Sequence, residues 1–319
     1  MKKIIGIVLV LLGGVLISCQ NEKTEDVNDD EVLSEKAAQI TMDEVMVEGV
    51  LSETEYEIDF YANAEGRIFQ MQRMGQLWKW TNKLRYRIQQ CPELEIVAED
   101  GDYPKTITLD YGEATELQNG KILSGVIIIE ISAPRNSIEY QRNVTYDNFG
   151  IDSLVINGTS VISVDKEDES FRTFASDIVL TFADGTSAGR TSERVWQWIE
   201  GMDTELDQTD DVIQITGYAN VETSEGDTYK KEIVEPLIRI RDCRFIVEGV
   251  VEITLNGELI STLNYGDGNC DAVATITKDG ESFDVDLAGH KIDGKRYDHR
   301  KGNGGNGNQN QNGNGGGNG

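Results

Sequence analysis

The chain has 319 residues, of which 57 are Asp or Glu and 29 are Lys or Arg, giving a formal net charge of −28. A field of that sign repels phosphate backbones and anionic lipid faces, which excludes nucleic acid as a partner and keeps a protein soluble beside a membrane. At 38% apolar residues, the chain has material for one large core or two modest ones.

The first element is an address. Lys2 and Lys3 lead into an apolar run at 4–16, and Leu16, Ile17 and Ser18 close it before Cys19. The run is shorter than the roughly 20 residues that span a bilayer, so residues 1–18 read as a lipoprotein signal peptide and not as a transmembrane helix. Cleavage before Cys19 makes that cysteine the N-terminus and the carrier of acyl chains such as palmitate. Its thiol is then unavailable for a disulfide, a metal or catalysis. Two or more chains give stable attachment, at about 0.8 kcal/mol per buried methylene. The expected partner is thus a membrane, reached through an N-terminal lipid.

Residues 19–31 are polar, acidic and without a period, as in a flexible tether. Residues 32–60 are rich in helix formers, with Leu33, Ala37, Ile40, Val45 and Val47 in an imperfect apolar stripe. One short N-terminal helix is expected there, with a continuation toward Phe60 past Gly49. A β-rich body follows over 61–290, with a soft division near 165–170. Candidate strands lie at 106–111, 121–132, 153–156, 160–164, 171–182, 194–199, 212–221 and 229–240. Asp184-Gly185, Asn256-Gly257 and Asp279-Gly280 fit tight hairpins whose two central residues take positive φ. The fold class is mainly β: an antiparallel meander of hairpins, as a large twisted sheet or a sandwich. Residues 291–319, nearly all Gly and Asn toward the end, are expected to be a disordered tail.

The last hairpins allow a register to be counted. With Asn256-Gly257 as a two-residue turn, Leu255 faces Glu258, Ile253 faces Ile260, Val251 faces Thr262 and Cys243 faces Cys270. A Cys243–Cys270 disulfide follows, with the Cys243 sulfur on the buried face. Gly249 and Gly266 are the places where a bulge would shift the count. A second regularity is an echo: Thr-Leu-Asp-Tyr-Gly-Glu at 108–113 returns as Thr-Leu-Asn-Tyr-Gly-Asp at 262–267, which suggests two similar β units in one body.

Several stretches carry a resemblance. Cys91-Pro92, 107–112, 120–125, 183–186, 196–201, 216–219, Glu235-Pro236-Leu237 and 264–271 resemble a recurrent group of Bacteroidota lipoproteins of unknown function. That resemblance covers most of the chain after the tether. It implies a β-rich lipoprotein of the outer membrane, facing the cell exterior given the acidic residues after Cys19, or alternatively the periplasm. It carries over no catalytic residues. It also implies a cysteine soon after the first Tyr-Gly, where this chain has 113–118 without one, so Cys91 is left odd.

Chemistry-bearing constellations are few. A nucleophilic Cys91 needs a basic partner, and His290 and His299 stand in or near the tail. No Cys or His pair has zinc spacing, and Asp267, Asn269 and Asp271 are too few for an EF-hand loop, so neither a metal nor another cofactor is expected. Carboxylates are so numerous that some pair will always stand at glycosidase distance, which leaves a glycoside hydrolase as a third reading only. Trp78 with Trp80 and Trp196 with Trp198 each place two indoles on one face of a strand. Buried, they are core; exposed, they would stack on sugar rings of a polysaccharide. Asp152-Ser153-Leu154 matches a short O-glycosylation acceptor pattern. The expectation is a non-enzymatic, lipid-anchored envelope protein with a structural or binding role toward a polysaccharide or protein, glycan capture through the Trp pairs being the alternative.

Overall fold

The structure, a computed structural model, describes residues 29–77, 79, 92–98, 102–117, 120–202, 210–243, 245–287, 291–292 and 295–296, with side chains over 36–287 of these. Two helices come first, α1 (Asp29–Asn63) and α2 (Glu65–Arg73). They are followed by β1 (Glu93–Ala98), β2 (Lys105–Asp110), β3 (Thr115–Glu116), β4 (Ile122–Ile131), β5 (Gln141–Ile151), β6 (Leu154–Val164), β7 (Phe171–Thr181) and β8 (Ser187–Glu200). The rest are β9 (Val212–Thr223), β10 (Thr228–Ile240), β11 (Glu248–Leu255), β12 (Glu258–Asp267), β13 (Val273–Lys278), β14 (Glu281–Asp286), β15 (Lys291–Ile292) and β16 (Lys295–Arg296).

These strands form one open sheet in which each pairs antiparallel with its sequence neighbour, β3 alone standing aside on β4. The mainly β meander expected from the sequence is therefore present, as a single sheet and not a sandwich. The β6–β7 ladder runs without a shift from Val155–Thr181 to Val164–Arg172, so 165–170 is the loop of a hairpin whose two strands pair along their length. β1, β3, β5, β15 and β16 have no counterpart among the expected strands, the last two lying where a disordered tail was expected, and 153–156 and 160–164 merge into β6.

The helix differs from expectation in length. Instead of a short element, α1 has 35 residues and continues through Gly49 to Asn63. Its start carries Asp29, Asp30 and Glu31, which suit the positive end of the helix dipole. Its middle is buried on more than one side, including Val45, Val47, Val50, Ile58 and Tyr61 together with Glu44, Glu48 and Asp59. The sheet curls around it: α1 bonds to Ser261 of β12 through Thr41 (2.8 Å), and to Lys121, just before β4, through Glu53.

Curling needs places where strands bend. At Gly125, φ is +73° and an added Cβ would stand 2.0 Å from the Asn148 carbonyl oxygen on β5. At Gly249, φ is +111° and a Cβ would stand 2.5 Å from the Pro236 oxygen on β10. Both coincide with register shifts, β4–β5 at Ser124/Val126 and β11–β12 at Glu248/Val250. Bulges at such points bend and twist a sheet. Gly249→Ala is expected to cost about 1–3 kcal/mol through positive φ and this close approach. The urea midpoint measures it, and an unchanged midpoint would contradict the crease.

The free edge of β1 is covered in part by α2. The Gln72 amide accepts from the Ile96 N–H (3.0 Å) and donates to the Ile96 carbonyl (2.5 Å), occupying edge groups that would otherwise invite another strand. The sequence echo is structural as well. Leu109, Tyr111, Leu263 and Tyr265 all point into the core. Asp110 and Asn264 each accept a hydrogen bond from the glycine N–H two residues on, at 2.8 Å in both cases.

Candidate functional site

Strand β8 sets up the interior. Alternation places Ala188, Arg190, Ser192, Arg194, Trp196 and Trp198 on one face, and that face looks at α1. Once the two indoles are buried, the two arginines beside them are drawn inward and require anionic partners. The partners come from the helix. Arg190 donates to both oxygens of Glu44 (2.9 and 2.8 Å), Arg194 reaches Glu48 at 3.4 Å, and Lys231 of β10 bonds Glu48 and lies 3.2 Å from Glu44. Tyr229 adds a hydroxyl donor to Glu44 at 3.2 Å.

Farther along α1 a second station repeats the pattern. Arg142 of β5 donates to Asp59 (2.5 Å) and Glu55 (2.7 Å). Asp59 also receives Arg241 at 2.5 Å and Arg239 at 3.5 Å. One carboxylate thus joins β5 to β10, two strands that are five places apart in the sheet. Glu44, Glu48, Glu55 and Asp59 recur at spacings of a helix face, so this stripe lies in the sequence, though nothing local sets it apart from the chain's other acidic residues.

Electrostatics follow from this arrangement. Burial alone would raise Glu48, but Lys231, Arg194 and Arg190 outweigh it and hold the carboxyl well below the usual range. Burial likewise opposes ionisation of Asp59, and Arg241, Arg142 and Arg239 overcome it in the same direction. Because both folded values lie below the ordinary value near 4, their contribution is complete above that value and is lost as the pH falls. The melting temperature is therefore expected to hold down to about pH 5 and to drop below about pH 4. A melting temperature that rises between pH 5 and pH 2 would contradict the ion-paired interior.

Between the two stations lies an internal space of about 50 Å³, bordered by Ser52, Ser160, Ser176, Arg194 and Trp196. That is room for a few water molecules. Trp196 Nε1 and Arg194 Nε, both at its wall, have no hydrogen-bond partner among the described residues. On the opposite face of the sheet, an open concavity of about 550 Å³ is lined by Asp177, Thr191, Asn220, Lys230 and Thr254. These five residues form one continuous row of paired positions from β7 to β11.

The sequence-derived sites fall as follows. Cys243 and Cys270 form a disulfide with Cα atoms 5.7 Å apart. The counted register behind that pairing is displaced: Leu255 faces Glu258 as expected, but Ile253 faces Ser261, Val251 faces Leu263 and Glu248 faces Asp267. Two bulges intervene, one of them at Gly249, and the cysteines meet beyond the end of β11. Cys243 is buried, as expected.

Trp196 and Trp198 share one face but do not form an exposed stacking platform. They are 3% and 8% exposed, Trp196 stacks on Phe174 at 5.5 Å, and Arg172 covers Trp198 at 4.3 Å. Their ring faces are taken by core neighbours. Cys19, Trp78, Trp80, Cys91, His290 and His299 lie outside the described residues. Of the three Asx-Gly turns, Asn256-Gly257 and Asp279-Gly280 have both residues at positive φ; at Asp184-Gly185 only the glycine does, because a three-residue loop joins Phe182 to Thr186. Ser153 is exposed in the turn between β5 and β6.

No protein-family model, curated protein or solved structure matches the chain.

Proposed function

We propose that this is a lipid-anchored envelope protein with a binding role, belonging to the group of Bacteroidota surface lipoproteins that its sequence resembles, and that it is not an enzyme. The observation that carries the reading is the lipobox ending at Cys19, with α1 beginning at Asp29. A tether between those two residues reaches at most roughly 35 Å when fully extended, so the body is held close to the lipid surface. The binding role is supported by the outer concavity, whose mixed donors and acceptors suit a hydroxyl-rich or peptide ligand. The non-enzymatic reading is supported by the state of Glu48 and Asp59. A general acid needs a raised pKa, and the cations around these two carboxylates act in the opposite sense.

The deciding experiment is Cys19→Ser. Acyl mass on the N-terminal peptide and membrane attachment should both be lost, with precursor accumulating. Wild-type protein without an acylated N-terminus would overturn the anchor. Probing arrays of polysaccharides and proteins with the full chain in detergent then addresses the ligand. Glycan capture through Trp196 and Trp198 is not the favoured mode, since their rings are occupied.

A further inference from the structure

Acid is abundant in this chain, yet among the described residues the buried Arg172 makes no ion pair. Around Asp59 the network contains Arg142, Arg239 and Arg241, together with Arg135, which is paired to Asp211 at 2.6 Å, and Arg172, which donates to the Arg135 carbonyl at 3.2 Å. Against these five guanidinium groups stand three carboxylates, Glu55, Asp59 and Asp211. Among the described residues the network therefore holds an excess of two positive charges, inside a protein of net charge −28.

Arg172 is where the deficit is concentrated. It is 7% exposed, makes no ion pair among the described residues, and its Nε–H has no partner. The contrast with Arg142 and Arg190 is direct, since those equally buried groups each hold a carboxylate. What Arg172 has instead is aromatic: its guanidinium lies 5.0 Å from the Tyr140 ring and 4.3 Å from the Trp198 ring. Ring faces attract a cation but leave its in-plane N–H groups free to donate. Burial, with Arg135 and Arg142 alongside, pulls its pKa down to about 10. Arg135, whose side chain is 27% exposed and whose guanidinium lies 5.7 Å from the same Trp198 ring, links the spot to solvent.

We propose that Arg172 and Arg135 form a binding site for a small oxyanion, a carboxylate, phosphate or sulfate group of a ligand, seated beside Trp198 and Tyr140. A planar guanidinium fork matches two oxygens of such a group, and a bound anion would satisfy the orphaned Nε–H and reduce the excess charge together. The proposal rests on the binding role but not on the lipid anchor, and its site is separate from the outer concavity. Acyl mass tests the anchor separately.

The test is calorimetry and thermal shift on the full chain in detergent with sodium phosphate, sulfate and glucuronate, each against chloride at equal ionic strength. Saturable binding of one oxyanion per chain is expected, with a melting temperature that rises with its concentration. The tightest of the three names the source, glucuronate pointing to a carboxylate ligand and phosphate or sulfate to a tetrahedral one. Arg172→Met should abolish binding, and Arg135→Lys, which keeps a cation beside the buried Asp211 carboxylate but loses the guanidinium fork, should weaken it at least tenfold. Lys36→Gln, at the partly exposed Lys36–Asp227 pair, should leave it unchanged. No saturable binding beyond chloride, or equal binding by wild type and both arginine variants, would overturn the site.

Discussion

Asp59→Asn should be the most damaging single substitution in the helix, lowering stability by about 3–5 kcal/mol, because it removes the charge from one side of a buried network and leaves the other side in place. Arg142, Arg239 and Arg241 all converge on that carboxylate, and all lie away from solvent or nearly so. An asparagine has similar size, so packing is preserved and the loss is electrostatic. For a chain of this length the melting temperature should fall by roughly 6–15 °C. Lys230→Gln provides the contrast, since the Lys230–Glu232 pair is 40% and 54% exposed, and surface pairs contribute about 0–1 kcal/mol. Equal effects from the two substitutions, read by thermal unfolding, would mean that the trough around α1 is wet and the buried network is not what holds the helix.

The second large effect is expected from the disulfide. Cys243 and Cys270 are separated by 27 positions, and chain-entropy models assign a loop of that size about 3.5 kcal/mol. Replacing both by serine, or reducing the bond, should lower the melting temperature by several degrees without changing the array of strands. The Cys91 thiol should remain titratable throughout. Peptide mapping of the non-reduced protein is decisive, because a linkage from Cys91 to Cys243 or Cys270 excludes the pairing.

The cysteine pairing was legible in the sequence for a partly accidental reason. Counting outward from Asn256-Gly257 brings Cys243 opposite Cys270, yet the real ladder gains a residue on β12 near Ile260 and another at Gly266. The cysteines still meet because both lie past the paired residues, where the chain is no longer bound to the count. Hairpin chemistry reads well because positive φ at Asn256 and Asp279 is a local property. Bulges read poorly because their position depends on how the whole sheet must bend around α1. The helix itself was underestimated for a related reason. Buried Glu44, Glu48 and Asp59 interrupt the apolar stripe, and nothing local distinguishes a carboxylate facing Arg190 from one facing water. The one available signal lay on β8, where Arg190 and Arg194 alternate in phase with Trp196 and Trp198.

The order in which the chain becomes available bears on that same helix. Asp59 waits for Arg241, which lies 182 positions later, and Glu48 waits for Lys231, 183 positions later. A portion that stops before β5 holds none of the arginines that match these acids, and one that stops before β10 holds only Arg142 for Asp59 and Arg190 and Arg194 for Glu48, so the first helix must stay at least partly hydrated while much of the sheet is still to come. Contacts of that separation carry a high loop-closure cost and make for slow folding. An acidic helix tolerates such a delay, since it is soluble without partners, whereas a greasy one of the same length would have collapsed onto whatever strand emerged first.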